Sequence, residues 1–268
     1  MLSIGKNKLW STLGFNLLIT VISYQLYFLV SGLWNHSNIS GKGYPKSWGS
    51  SINVFLTDSD NLNNQTYGET VVGGLKCSLA NMIAFAAISG RAGPLEAVVM
   101  TIIGTFLYEI NRQLVSRYSL DFGGSMTIFC FGGCYGSIIS LILFFCTQWE
   151  SFEEHYLRKA GNFSFLLASV GSLFCWVFFP FLNIDIPNQL IFNFNGGINT
   201  FFCISACVVS SVCFTSIING KFELKYLIYS PIVGGIAAGS SSAIIDNTLS
   251  ALLLGVGASI IHLIFFKI

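Results

Sequence analysis

The sequence predicts an all-α membrane protein, a polytopic bundle of about eight transmembrane helices. The chain of 268 residues is 53% hydrophobic and only 9% charged, whereas soluble domains carry about 25% charged residues. Its apolar residues gather in runs of about 20, the length that crosses the hydrocarbon of a bilayer as a helix. These runs lack the alternating pattern of about ten residues that a membrane β-barrel requires. We therefore expect a lipid bilayer to surround this chain.

Eight segments have the length and composition of a membrane span. The third segment is short and the seventh is rich in glycine, serine and alanine, so their ends are the least defined. We treat residues 1–268 as one transmembrane domain, with residues 35–68 as an extracytoplasmic loop after the first span. The predicted spans are Trp10–Trp34, Val71–Ser89, Pro94–Ile110, Gly123–Thr147, Phe163–Asn183, Ile198–Ile218, Leu227–Ile245 and Thr248–Phe266.

Basic residues between the spans predict the orientation of the chain, because cytoplasmic loops carry an excess of Lys and Arg. With the N-terminus inside, eight of the 13 basic residues lie in inner loops and tails and four in outer loops. Both termini are then cytoplasmic. The outer loop also holds three triplets of the glycosylation type, at Asn35, Asn38 and Asn64. These triplets favour a surface membrane on the secretory route, and we expect the plasma membrane.

Composition also limits the classes of function. The net charge of +1 gives no electrostatic basis for binding nucleic acid. All eight cysteines fall within predicted spans, which argues against a disulfide framework. The sequence contains no nucleophile–base pair and no constellation of metal ligands. We therefore expect a protein that is not an enzyme and that uses neither a cofactor nor a metal ion.

A glycine-rich segment, Asp121–Gly136, reads DFGGSMTIFCFGGCYG. Each glycine inside a soluble helix costs about 1 kcal/mol relative to alanine. In lipid, however, helices associate through close packing, which small residues allow. Gly132 and Gly136 are four residues apart, as are Gly235 and Gly239 in GGIAAGSS. We interpret these four glycines as helix-packing positions, and the pattern fits either packing alone or the wall of a narrow path.

Charged side chains inside predicted spans are the second local signal, because a central acid or lysine costs about 2.5–3.5 kcal/mol on insertion. Three residues qualify: Lys76, Glu96 and Asp121. Glu96 follows Pro94 in a first helical turn, where the helix dipole favours an anion. Lys76 lies near the outer boundary, which its aliphatic stem can reach. Asp121 precedes a helix and can accept hydrogen bonds from its first free N–H groups.

The glycine-rich segment resembles the motif D-x-G-G-S-M-T-I-H-x-F-G-A-Y-F-G of Rh glycoproteins, within the ammonium transporter family. The resemblance extends along nearly the whole chain in the order of the family's own segments. The similar segments are STLGFNLLITVISYQ, AFAAISGRAGPLEAVVMT, GSLFCWVFFPFLN, INTFFCISACV and VGGIAAG.

The resemblance implies a fold of inverted helical repeats and a trimer, homomeric or heteromeric, with one pore in each subunit. It implies a permeant of ammonia, ammonium or carbon dioxide. Family members have eleven or twelve helices, and the eight spans here resemble the middle eight. We therefore expect a partial ammonium-transporter-like fold.

The residues that the resemblance places along the pore include clear departures from the family motif. Asp121 and Ser125 match their family counterparts. Phe129 stands where the first of two pore histidines is expected. The places of the two gate phenylalanines are taken by Lys76 and by Leu182, which precedes Asn183. The resemblance therefore implies these six pore-path residues: Lys76, Asp121, Ser125, Phe129, Leu182 and Asn183.

Three interpretations stay open at this point. The chain is a working channel for a neutral gas, with an altered pore. Alternatively, it is a non-conducting structural or regulatory subunit of a hetero-oligomer. The third interpretation is an incomplete family member, in which the partner pore histidine belongs to a helix beyond Ile268.

Overall fold

The computed structural model describes residues 6–39, 64–89, 92–119, 121, 123–146, 162–184, 190–221 and 223–267. These residues form eight α-helices and one π-helical turn, with no strand in the described ranges. The π-helical turn, Ser125–Cys130, leads directly into α4. The helices are α1 Lys6–Ile39, α2 Asn64–Ile88, α3 Pro94–Tyr118, α4 Phe131–Cys146, α5 Asn162–Leu182, α6 Leu190–Asn219, α7 Leu224–Gly239 and α8 Thr248–Lys267.

Each predicted span overlaps one of these helices, and the predicted all-α fold is confirmed. Six helices in the described ranges are long and apolar enough to cross a membrane: α1, α2, α5, α6, α8, and α4 together with its π-helical turn. The third and seventh predicted spans lie in the two remaining helices. Helix α3 carries Glu96 and Glu109, which lower its mean hydropathy, and α7 has only 16 residues.

Two predicted boundaries differ from the structure. Residues 35–39 and 64–68, predicted as loop, extend α1 and begin α2, which makes Asn35, Asn38 and Asn64 helical. The rest of that loop lies outside the described residues.

The seventh predicted span is also shorter than expected, because α7 ends at Gly239 and is followed by turns. The side chain of Asn199 contributes to this early end. Its Nδ2 donates to the carbonyl oxygens of Ser242 at 2.9 Å and Ile245 at 2.6 Å. These side-chain hydrogen bonds satisfy carbonyls that lie beyond the end of the helix.

The chain divides into two compact units. Unit 1 comprises residues 1–117 and 127–158, and unit 2 comprises residues 118–126 and 159–268. In unit 1, α2 packs against α1 and α4, and in unit 2, α6 packs against α5, α7 and α8. The expectation of one domain over residues 1–268 stays a prediction.

Polar side chains join the helices of unit 1. The buried Asn81 on α2 donates from Nδ2 to Ser23 Oγ of α1 at 3.1 Å and to Thr105 Oγ1 of α3 at 3.2 Å. Tyr135 Oη of α4 donates to the carbonyl of Met100 in α3 at 2.7 Å. Hydrophobic association contributes little between helices in lipid, so such hydrogen bonds and close packing hold the unit together.

Glycines on α4 set the distance between α4 and α2. A Cβ atom at Gly132 would lie 2.8 Å from the carbonyl oxygen of Ala80, and one at Gly136 would lie 2.8 Å from that of Ala84. Both neighbours are backbone atoms, which cannot move aside as a side-chain end does. Only glycine therefore allows the two helices to approach this closely.

Candidate functional site

Asp121 and Ser125 lie in a close backbone contact within unit 2. The Asp121 carboxylate accepts from the N–H of Met126 at 3.0 Å and thus caps the π-helical turn. The Gly123 N–H donates to the carbonyl of Gly239 at 2.8 Å. Ser125 Oγ donates to the carbonyl of Ile236 at 2.7 Å. These bonds join the start of the π-helical turn to the end of α7.

Gly239 and Gly123 make this contact possible. Ser125 Oγ occupies the place that a Cβ atom at Gly239 would need, and the amide oxygen of Asn183 does the same at Gly123. Gly124 has φ of +73°, a left-handed conformation that glycine adopts without strain. The two glycines after Asp121 therefore serve the backbone geometry of the turn.

Asn183 lies at the end of α5 and is 1% exposed. Its Nδ2 donates to Thr200 Oγ1 of α6 at 2.9 Å and approaches the carbonyl of Gly235 of α7 at 3.5 Å. The neighbouring Leu182 is half-buried. The structure thus brings Asp121, Ser125 and Asn183 into one region of unit 2, at the meeting of α5, α6 and α7.

Phe129 belongs to unit 1 and is half-buried. Its ring packs against a cluster of buried residues from four parts of that unit. A phenylalanine ring has no lone pair and cannot take up a proton. An imidazole has a nitrogen lone pair and can take up a proton there. The position where the resemblance expects a pore histidine therefore offers only an apolar surface. The cluster comprises Tyr27, Cys77, Ala80, Tyr108 and Ile128.

Lys76 also lies in unit 1, on α2, beside the buried Cys77, and is half-buried. Glu96, which the sequence places in a first helical turn, accepts from the N–H of Gly93 at 2.8 Å and caps the start of α3. Glu96 is exposed at that end of the helix.

An ion pair between Glu109 and Arg112 was missed by the sequence analysis. Glu109 is fully buried, and its two oxygens accept from Arg112 Nη2 at 2.6 Å and Nε at 2.9 Å. Gln113 Nε2 donates to the same carboxylate at 3.1 Å. The Arg112 guanidinium lies 5.9 Å from the centre of the Tyr27 ring, a distance at which a cation is attracted to the ring face.

The sequence did contain a signal for this pair. Glu109 lies one residue before the end of the predicted third span, and Arg112 follows three residues later. Residues at this spacing are neighbours on a helix surface. Treating Glu109 as a charge within a span would have raised the question of its partner.

Each of the polar side chains of this region makes a hydrogen bond to a protein group. Asp121 binds a backbone N–H, Ser125 a backbone carbonyl, and Asn183 a threonine hydroxyl. Among the described residues, no group of three His, Cys, Asp or Glu side chains is placed to hold a metal ion.

The helices and their polar contacts define a polytopic helical membrane protein, and similarity to known proteins specifies the class further. The fold is similar to a solved structure described as Nitrosomonas europaea Rh50 and mechanism of conduction by Rhesus protein family of channels. That similarity has a TM-score of 0.63 at 15% identity and covers 96% of this chain and 69% of the other. Residues 43–268 match the profile of the Ammonium Transporter Family. The chain belongs to that family.

Curated relatives include Rh proteins of vertebrates. The chain is 27% identical over 263 residues to Ammonium transporter Rh type B of Xenopus tropicalis, covering 96% of this chain and 52% of the relative. It is 26% identical over 261 residues to Ammonium transporter Rh type C of Sus scrofa, covering 96% and 51%. The chain thus spans about half the length of the curated relatives that it matches.

Proposed function

We propose that this chain conducts ammonia across a membrane as a channel of the Rh type. The match of residues 43–268 to the Ammonium Transporter Family is the observation that carries the proposal. The Rh type B and type C relatives, which are named ammonium transporters, support it. The family resemblance assigns Asp121, Ser125 and Asn183 to the pore path, and this assignment stays a prediction.

Neutral ammonia is the species that the described residues favour over ammonium. An ammonium ion entering an apolar path loses its hydration, at a cost far above that of an uncharged polar molecule. Phe129 returns about 0.5–2 kcal/mol to a cation through its ring, and it cannot accept the proton that ammonium must release. Carbon dioxide, which carries no charge, is a second permeant consistent with such a path.

Flux into proteoliposomes tests the proposal. An inward gradient of ammonium chloride should alkalinise the lumen faster with the protein than in empty vesicles, because neutral ammonia binds a proton after crossing. Phe129→His should add transport of charge, measured as a current on a supported membrane, because an imidazole offers a lone pair and a proton site. Phe129→Leu, which changes the ring without adding a base, is the control.

If vesicles that contain folded protein alkalinise no faster than empty vesicles, the channel proposal is contradicted. A current from Phe129→Leu as large as that from Phe129→His would contradict the role given to the imidazole.

The second candidate function is a non-conducting structural subunit. The packing of Phe129 against a buried cluster of unit 1 favours it, because this position then contributes to stability and not to transport. The same flux measurement separates the two functions, since the subunit alone would leave vesicle permeability unchanged.

We propose as well that the chain is part of a trimer, homomeric or heteromeric, in the plasma membrane with both termini cytoplasmic. Six helices able to cross a membrane support an integral membrane protein. The excess of basic residues on the predicted inner side supports the orientation. The family resemblance supports the trimer.

A further inference from the structure

Thr200 joins two helices of unit 2 through one buried hydroxyl. It lies on α6 and is 0% exposed. Its Oγ1 donates to the carbonyl of Gly196, one turn earlier in the same helix, at 2.7 Å and accepts from Asn183 Nδ2 at the end of α5 at 2.9 Å. A hydroxyl carries a single proton, and here the carbonyl of Gly196 accepts that proton. Thr200 therefore presents only a lone pair to α5.

The lone pair of Thr200 determines which way the Asn183 amide faces. Nδ2 of this amide donates to Thr200 Oγ1 and lies 3.5 Å from the carbonyl oxygen of Gly235. Both neighbours accept hydrogen bonds, so an amide turned over would place its own oxygen against two acceptors. The amide oxygen instead faces Gly123 and occupies the place that a Cβ atom there would need. Loss of the Thr200 hydroxyl removes the shorter of the two bonds that hold this orientation.

Gly123 is the point at which the turn that carries Asp121 contacts the helices of unit 2. Its N–H donates to the carbonyl of Gly239 at 2.8 Å, and the Asn183 amide oxygen packs against its Cα side. Two residues earlier, the Asp121 carboxylate accepts from the N–H of Met126 at 3.0 Å. The backbone from Asp121 to Met126 is thus held on one side by Gly239 and on the other by the amide that Thr200 orients.

We propose that Thr200 is a positioning residue for this turn: it fixes the Asn183 amide, and through that amide it holds the segment 121–126 in one arrangement. A role of this arrangement in transport rests on the proposed function, whereas the link from Thr200 to the turn does not.

Amide hydrogen exchange of residues 121–126, followed by mass spectrometry on the full chain in detergent, tests the link. Thr200→Val keeps the shape of the side chain and removes the hydroxyl. We expect exchange in residues 121–126 to accelerate about 3–10-fold, the range that the loss of one buried hydrogen bond gives. Thr200→Ser keeps the hydroxyl and should restore the slow exchange.

Thr215→Val is the matched control. Thr215 lies on the same helix, is 2% exposed, and donates to the carbonyls of Ser211 and Val212 at 2.8 and 3.0 Å. Among the described residues it makes no hydrogen bond to another helix. Thr215→Val therefore removes an equally buried hydroxyl without touching α5, and exchange in residues 121–126 should stay at the rate of the unsubstituted chain.

Three results overturn the proposal: unchanged exchange in Thr200→Val, equal acceleration by Thr215→Val, or acceleration by Thr200→Ser as large as that by Thr200→Val. If Thr200→Val does not fold, Asn183→Leu removes the same bond from the other partner. Exchange in residues 121–126 that stays slow in Asn183→Leu overturns the proposal as well.

Ammonia flux into proteoliposomes tests the consequence for transport. Thr200→Val should slow the alkalinisation of the lumen at least about threefold, and Thr200→Ser should restore it, while Thr215→Val leaves it unchanged. Accelerated exchange with undiminished flux in Thr200→Val would overturn the transport role of the turn. If the unsubstituted chain gives no flux, the channel proposal fails, and the exchange measurement still decides whether Thr200 positions the turn.

Discussion

At the scale of single residues, buried polar side chains contribute more to the stability of this protein than exposed ones do. Glu109 and Arg112 form a two-point ion pair in a region that also holds the rings of Tyr27 and Tyr108. A charge removed from water is tolerated when its partner and further hydrogen bonds compensate it. Here Gln113 supplies the further bond. The pair is therefore a unit, and neither residue is replaceable on its own.

Arg112→Leu should destabilise the protein by about 2–4 kcal/mol, because it leaves the Glu109 carboxylate buried without a counter-charge. The side chain of Arg112 is 34% exposed, which keeps the expected loss below that of a fully buried pair. The double variant Glu109→Gln, Arg112→Leu should regain part of the loss. Denaturant unfolding in detergent, analysed as a double-mutant cycle, measures it. Strictly additive effects would show that the pair is not coupled.

At the scale of helices, glycines on one face of α4 fix its contact with α2. Gly136 has the carbonyl oxygen and Cα of Ala84 at 2.8 and 2.9 Å from the place of its missing Cβ. Gly133, on another face of the same helix, has nothing within 4 Å. The same residue type thus has opposite consequences at two positions three residues apart, because only one of them meets a backbone.

Gly136→Ala should lower Tm by several degrees, because the added methyl forces α4 away from α2 and loses packing along the seam. Gly133→Ala should leave Tm unchanged or raise it slightly, since alanine favours the helix by about 1 kcal/mol. Thermal unfolding of both variants at the same scan rate makes the comparison. Equal losses at the two positions would contradict the packing role of Gly136.

At the scale of the whole molecule, the chain consists of two compact helical units. It belongs to the Ammonium Transporter Family, and its resemblance to Rh glycoproteins implies inverted repeats and a trimer. Unit 1 contains Phe129 and Lys76, whereas unit 2 contains Asp121, Ser125 and Asn183. The proposed trimer rests on the family resemblance and the proposed orientation rests on charge, and one preparation tests both.

Protein made in cells that attach N-linked sugars should shift in mass on treatment with a glycosidase, through the outer triplets at Asn35, Asn38 or Asn64. Asn162, in the triplet NFS on the predicted inner side, is the control and should stay unmodified. The same preparation should give a native mass of a trimer. Sugar on Asn162 would reverse the proposed orientation, and a stable monomer would contradict the trimer.

The sequence by itself predicted the membrane environment of this protein, its all-α fold and its family. Long apolar runs, sparse charge and a glycine-rich motif are local features, and they specify helices in lipid whatever their neighbours are. The cap formed by Glu96 was predictable for the same reason, since a first-turn acid acts on its own helix.

Only the tertiary structure decided which polar groups meet. The contact of Gly123 with Gly239 and the bond of Asn183 to Thr200 join residues far apart in the chain. No periodicity encodes such pairs, because each depends on the packing distance between helices. The early end of α7 has the same origin, since a side chain from α6 binds the carbonyls beyond it.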